Sequence, residues 1–233
     1  GEIKKLLTIL LLSFGFGTVI HVPDDYSTIQ EGINAAMEGD TVLVAAGTYS
    51  PSTNSEVFPI EMASGIHLIG SGEDVSIIDA QQTDRVITME DCDNNTISDL
   101  TLTGGLADSY GGGMRLSNSN PILTNVTIAN NTANNGGGGM YLNSSNPNLT
   151  NSIMWGNSPE SIYIGSGTPL ITYSDIEGGW EGEGNIDDNP LFFDPDNGDY
   201  TLQAGSPCID SGTVIEGMEY CGDAPDMGAY EYI

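Results

Sequence analysis

Apolar and polar residues alternate along this chain in short runs, and the alternation itself recurs. The sequence GMRLSNSNPILTNVTIANN starting at Gly113 returns as GMYLNSSNPNLTNSIMWGN starting at Gly139, a spacing of 26 residues with ten of nineteen positions identical. A period in the twenties, built of apolar pairs separated by Asn, Gly and Pro, predicts a solenoid in which each turn buries its face against the next. A third, shorter copy follows at a spacing of 22: Ile162, Tyr163 and Ile164 fall on Met140, Tyr141 and Leu142, Pro169 on Pro147, and Ile176 on Met154. Alternation with period two sends Met114 and Leu116, Met140 and Leu142, and Ile162 and Ile164 inward. The residues between them, Arg115, Tyr141 and Tyr163, then form an outward column with neighbours about 4.8 Å apart. Aligned amides, Asn120 with Asn146, Asn125 with Asn151 and Asn131 with Asn157, predict side-chain ladders from turn to turn.

Upstream of the repeats, VIHVPDDYSTIQEGINAAMEGDTVLVAAGTY reads as strand, helix, strand. Ser27 and Gln30 suggest a capping box, Ile29, Ile33, Ala36 and Met37 mark one helical face, and Gly39 ends the helix. This single helix suits an N-terminal cap that shields the first turn's open edge. Strands are predicted at 41–44, 66–69, 76–79, 85–89 and 96–103. In the last, TISDLTLT, Ile97, Leu100 and Leu102 alternate with polar residues, and Asp99 breaks the register. From about Asp187 the repeat stops, and a turn-rich, aromatic region is expected to cap the last coil. The predicted organisation is a signal-peptide-like segment over 1–17, a parallel β-helix with its N-terminal cap over 18–186, and a C-terminal cap region over 187–233.

The phrase VPDDYSTIQEGINAAMEGDTVLVAAGTY resembles the opening of secreted bacterial right-handed parallel β-helix proteins of the pectin-lyase-like superfamily. NPLFFDPDNGDYTLQAGSPCIDSG and APDMGAYEY resemble the choice-of-anchor Q type of C-terminal region. The resemblance implies an all-β fold, a single-stranded right-handed parallel β-helix whose coils carry three short strands. It says little about activity, because that superfamily holds lyases, hydrolases, epimerases and adhesins.

Charge narrows the choice of partner. The chain carries 33 Asp and Glu against four Lys and Arg, a formal net charge of −29. Such a surface repels nucleic acid and anionic membranes and depletes acidic polymers around it. Two of the four basic residues, Lys4 and Lys5, precede the apolar run LLTILLLSFGFG, a pattern expected of an export signal, so the protein is expected to be secreted or on the cell surface. In an oxidising compartment Cys208 and Cys221 are candidates to close a disulfide loop, with Cys92 unpaired.

Candidate chemistry is sparse. Lyases of this fold would need grouped carboxylates beside a basic residue, and only Arg85 and Arg115 are on offer. Hydrolases of this fold would need Asp residues on neighbouring turns, yet Asp91, Asp93, Asp99, Asp175 and Glu177 do not align across copies, so no catalytic residue is assigned. DPDNGDY offers Asp194, Asp196, Asn197 and Asp199 as oxygen ligands for calcium, or as an ordinary tight turn. Arg115, Tyr141 and Tyr163 are candidates to hold carbohydrate on an exposed, rigid sheet. Trp155, Trp180 and Tyr173 lie on later parts of the same turns. The expected role is an exported, non-enzymatic structural, adhesion or carbohydrate-binding module. The alternatives are a homopolymer built by stacking of coils, and a polysaccharide lyase or glycoside hydrolase.

Overall fold

A computed structural model describes residues 17–71 and 75–232. The signal-like segment over 1–17 therefore lies, but for Gly17, outside the described residues. The rest winds as a right-handed parallel β-solenoid with a single α-helix and three strand-bearing faces.

The first face stacks Val19–Val22, Thr41–Val44, His67–Gly70, the start of Thr96–Thr103, the start of Ile122–Ala129, Asn148–Thr150 and Leu170–Thr172. The second stacks Gly47–Tyr49, Ser76–Asp79, the ends of Thr96–Thr103 and Ile122–Ala129, Ile153–Trp155 and Asp175–Ile176. The third, a five-stranded sheet, stacks Ile60–Glu61, Ile87–Glu90, Met114–Ser117, Met140–Asn143 and Ile162–Ile164. The strands predicted at 41–44, 76–79 and 96–103 fall on these bounds, and those at 66–69 and 85–89 are displaced toward the C-terminus by a residue or two.

In the repeating coils, three of the corners are each made by one residue in the left-handed region. Between the first and second faces these are Asp99, Asn125, Asn151 and Tyr173, with φ of 57°, 52°, 51° and 48°. After the second face come Gly104, Asn130 and Gly156, at 66°, 56° and 68°. After the third come Asp91, Asn118 and Ser144, at 53°, 48° and 52°. Asn, Asp and Gly pay least for that conformation, which is why they punctuate the repeat. The break at Asp99 is thus a bend within one long strand. The corner between the short strands at 106–107 and 132–133 and the third face needs glycine for another reason. A Cβ on Gly138 would lie 2.3 Å from the Ser158 carbonyl oxygen on the next coil.

The interior is a set of stacked apolar columns. Leu68, Ile97, Leu123, Leu149 and Ile171 pair in register along the first face, and Ile78, Leu102, Ile128, Met154 and Ile176 along the second. Ile60, Ile87, Met114, Met140 and Ile162 do so along the third. All are buried except Ile162, which is half-buried. Its neighbour Ile164 is 39% exposed, against the expectation of an inward pair, because no further rung covers the third face at this end. Amide ladders run beside the columns. Asn131 accepts from Gly105 N at 2.8 Å, donates to the Leu102 and Ala129 carbonyls, and meets Asn157 at 3.1 Å. Asn120 Oδ1 likewise accepts from Asn146.

The helix α1 (Ile29–Ala35) covers the first turn, but its capping box is Thr28 with Glu31, one residue on from the predicted pair. Ser27 lies outside the helix and donates to the Glu31 carboxylate. The helix stops before Ala36, which is extended, so Met37 leaves the apolar face and is 72% exposed. Gln30 reaches past the end of the third face, donating to Glu61 O and accepting from Glu61 N. Those are ladder groups of the first strand on that face, so its edge is closed.

The C-terminal region does not cover the last coil as expected. The return segment after Asp175–Ile176 does part of that, with Trp180 packed on the main core and Asn185 continuing the ladder to Ser174 N and Ile171 O. Beyond it the chain turns back and lies along the flank of the solenoid over the second face. Phe192, Tyr200, Leu202, Cys208 and Met227 form a second core with Ala129 and Ile153. Tyr230 and Tyr200 meet the hydroxyls of Thr101 and Thr103, and Ala229 N donates to Thr127 Oγ1. Several large apolar side chains need an extended flat surface, which the β-branched outward column supplies and the end of one coil does not.

Candidate functional site

The C-terminal layer leaves the third face open; the first face is also uncovered in part, with Ile122 and Leu170 on it 50% and 59% exposed. Its strand registers pair Arg115 with Thr88 on one side and Tyr141 on the other, and Tyr141 with Tyr163. Arg115 and Tyr141 are half-buried and Tyr163 is 40% exposed. The structure brings the three together as a column; the neighbours of Arg115 and Tyr141 along the strand are buried in the core, Met114 with Leu116 and Met140 with Leu142, whereas beside Tyr163 Ile162 is half-buried and Ile164 exposed.

A residue that the sequence alone did not single out joins them. Tyr110, on the loop entering this face, stacks on Tyr141 with ring centroids 4.8 Å apart and an interplanar angle of 24°. It also lies 5.2 Å from Tyr163, and Tyr141 and Tyr163 are 6.0 Å apart. The signal was present in the repeat: YGGG at Tyr110 aligns with GGGG at Gly136, and these two residues form a parallel bridge. Glycine at 136 is what admits the third ring, since a Cβ there would come within 2.8 Å of the Tyr163 ring. Arg85 lies beneath this cluster, its Nη1 donating to the Tyr110 carbonyl at 3.2 Å and its Nε 3.8 Å from Asp84. Burial, and then the Arg115 charge, pull the Arg85 guanidinium below its ordinary value, with Asp84 opposing. Both arginines of the described residues therefore serve one patch: three tyrosine rings with centroids 4.8, 5.2 and 6.0 Å apart, beside two guanidinium groups.

The carboxylates considered for catalysis lie apart. Asp91 and Asp93 lie at the corner after the third face, and Asp99 at the corner of the first and second, where burial holds its carboxyl above the usual range. Asp175 is buried beneath the C-terminal layer, and Glu177 accepts from Gly156 N. Trp155 packs into the second core, and Tyr173 forms a corner with its hydroxyl on Glu183.

Two candidate sites of the C-terminal region are placed as follows. DPDNGDY is a hairpin turn: Pro195–Asn197 forms a 3-10 turn, Asp194 accepts from Asn197 Nδ2, and Asp199 accepts from Thr201 N and Oγ1. One oxygen of Asp194 and one of Asp199 are engaged within the chain, and among the described residues no three His, Cys, Asp or Glu side chains are grouped as a metal site. Cys208 and Cys221 are not joined. Cys208 points into the second core and donates to Asp175, whereas Cys221 is exposed on the loop that Glu231 ties down.

Comparison with protein families matches residues 63–183, more than half of the chain, to the family described as right handed beta helix region. Comparison with curated proteins gives no match. Among solved structures, the crystal structure of pectate lyase Pel9A aligns over 94% of this chain and 97% of that chain, at 13% identity and a TM-score of 0.32.

Proposed function

We propose that this chain, which belongs to the right-handed β-helix family, is an exported, non-enzymatic module whose open third face binds polysaccharide. The observation that carries this reading is the Tyr110, Tyr141 and Tyr163 cluster beside Arg115 on a face that the C-terminal layer leaves open. Aromatic rings offer apolar contact to the C–H faces of sugar rings, and the phenol and guanidinium groups offer hydrogen bonds to hydroxyls. A rigid strand scaffold holds them in place, so little ordering entropy is lost on binding. The net charge of −29 favours a neutral polymer over a polyuronate. The dispersal of the acidic side chains over separate faces weighs toward binding rather than bond cleavage.

The test is a glycan array followed by titration calorimetry on the best neutral oligosaccharide, with and without calcium. Tyr141→Ala and Tyr163→Ala are each expected to weaken binding at least tenfold, about 1.4 kcal/mol, with the fold intact by circular dichroism. Unchanged affinity in both variants would sink the reading.

A second reading, assembly of copies, is supported by the uncovered last rung, where Tyr163 and Ile164 at the end of the third face and Leu170 at the end of the first are 40%, 39% and 59% exposed. Because Gln30 closes the opposite edge of the third face, pairing of the two open ends is favoured over a head-to-tail filament. Light scattering across a concentration series separates the two: a monomer throughout leaves only the binding reading.

A further inference from the structure

We infer that the C-terminal layer over residues 187–232 is a proton-linked latch, held on the second face in acid and loosened as the medium becomes neutral, with Asp175 as the group that senses the change. Asp175 continues the outward column of Thr101, Thr127 and Ile153 and has no exposed surface. It sits where the last rung, the return segment and the lateral layer meet. Cys208 Sγ, from the layer, donates to its Oδ2 at 3.3 Å, and Asp188 N donates to its Oδ1 at 3.2 Å. The other titratable groups facing the Asp175–Cys208 pair are all acidic: Asp187 and Asp188, where the return segment enters the layer, and Asp226, further along the layer. Arg85 and Arg115, the Lys and Arg of the described residues, belong to the third-face patch. A charge forming at this seam is therefore buried and has no counterion among the described residues.

Burial is the main cause that pushes the Asp175 carboxyl from an ordinary 3.8 up to about 7; the bonds from Cys208 and Asp188 oppose it and the Asp187 and Asp188 charges add to it. The closed layer thus keeps a proton that the opened layer releases. Docking is strongest below the ordinary value, weakens as pH rises toward about 7, and is level above it. Asp226 and Glu231, also raised by burial, hold the layer's own turns through Asp210 N, Tyr232 N and Asp226 N. They bend the same way but do not touch the coil through a carboxyl. Lifting the layer would uncover Ile153, Phe192 and Met227.

Amide hydrogen exchange of the full chain, corrected for intrinsic rates, measures the opening. In the wild type the opening constant of amides in residues 190–230 is expected to rise by up to tenfold per pH unit between pH 5 and 7 and then to level. Strands Met114–Ser117 and Met140–Asn143 should not follow. Asp175→Asn should remove this step and leave the layer at neutral pH as protected as the wild type is in acid. Cys208→Ser, which keeps a donor at the same place and strengthens it, should retain the step with its midpoint moved down. A wild-type layer whose opening ignores pH, a step that persists unchanged in Asp175→Asn, or one shared equally by the third face would each overturn the latch.

Discussion

The second and third faces are built by the same rule and end up as opposites. Each alternates inward apolar residues with an outward column, Thr101, Thr127 and Ile153 on one, Arg115, Tyr141 and Tyr163 on the other. On the second face the outward column is at most 1% exposed, while Tyr163 on the third is 40% exposed. The strands do not account for this. The chain that follows them does, by folding back over one face and leaving the other. The outward side of a β-helix is thus not a single kind of surface: one flank here behaves as a core and the other as a place to bind.

Substitutions at matched positions test that contrast, and the largest effect is expected where an outward position has become interior. Ile153→Asp places an unpaired carboxylate in the second core beside Asp175 and should cost about 4 kcal/mol or more, enough to release the layer, read as lost thermal stability and as new cleavage in 187–232 under limited proteolysis. Tyr163→Asp, its counterpart on the open face, should cost less than about 1 kcal/mol in the same measurements. Equal costs at the two positions would dissolve the comparison. Leu116→Ala, behind the open face and fully buried, should lose about 3 kcal/mol in denaturant unfolding, since both faces rest on the same interior columns. Asn131→Ala removes a buried amide and strands Gly105 N and two carbonyls, for which about 2 kcal/mol is expected. The smallest effect is expected of Arg115→Ala: stability within about 0.5 kcal/mol of wild type, with the change confined to glycan affinity.

Much of the fold was legible because repetition is a physical constraint as well as a pattern. A residue that stacks on its own image must suit both neighbours, so Met114 and Met140, or Asn131 and Asn157, recur. The residues that pair them in register could be read from the spacing alone. The corners were legible only in part. Asp99 stood out as a break in alternation, but that the break is a bend between two faces follows from its φ of 57°, shared by Asn125 and Asn151. In the candidate site, Arg115, Tyr141 and Tyr163 were visible from alternation. Tyr110 was not, because its partner in the repeat is a glycine, and the missing side chain at 136 is what makes room for a neighbour's ring. The capping box was misplaced by one residue because Ser27 and Thr28 are equally good caps locally, and packing of Ile29 and Ile33 on the first coil chose between them.

The sequence by itself determined the solenoid, the direction of the side chains in its repeats and the acidity of its surface, since each follows from local spacing or from a simple count. Only the tertiary structure decided what the C-terminal region covers, whether Cys208 meets Cys221 or Asp175, and which outward column stays open. Those depend on contacts across long separations, such as Thr101 with Tyr230. Such contacts are selected by where apolar area and hydrogen-bonding groups can be satisfied together, and no local pattern encodes that.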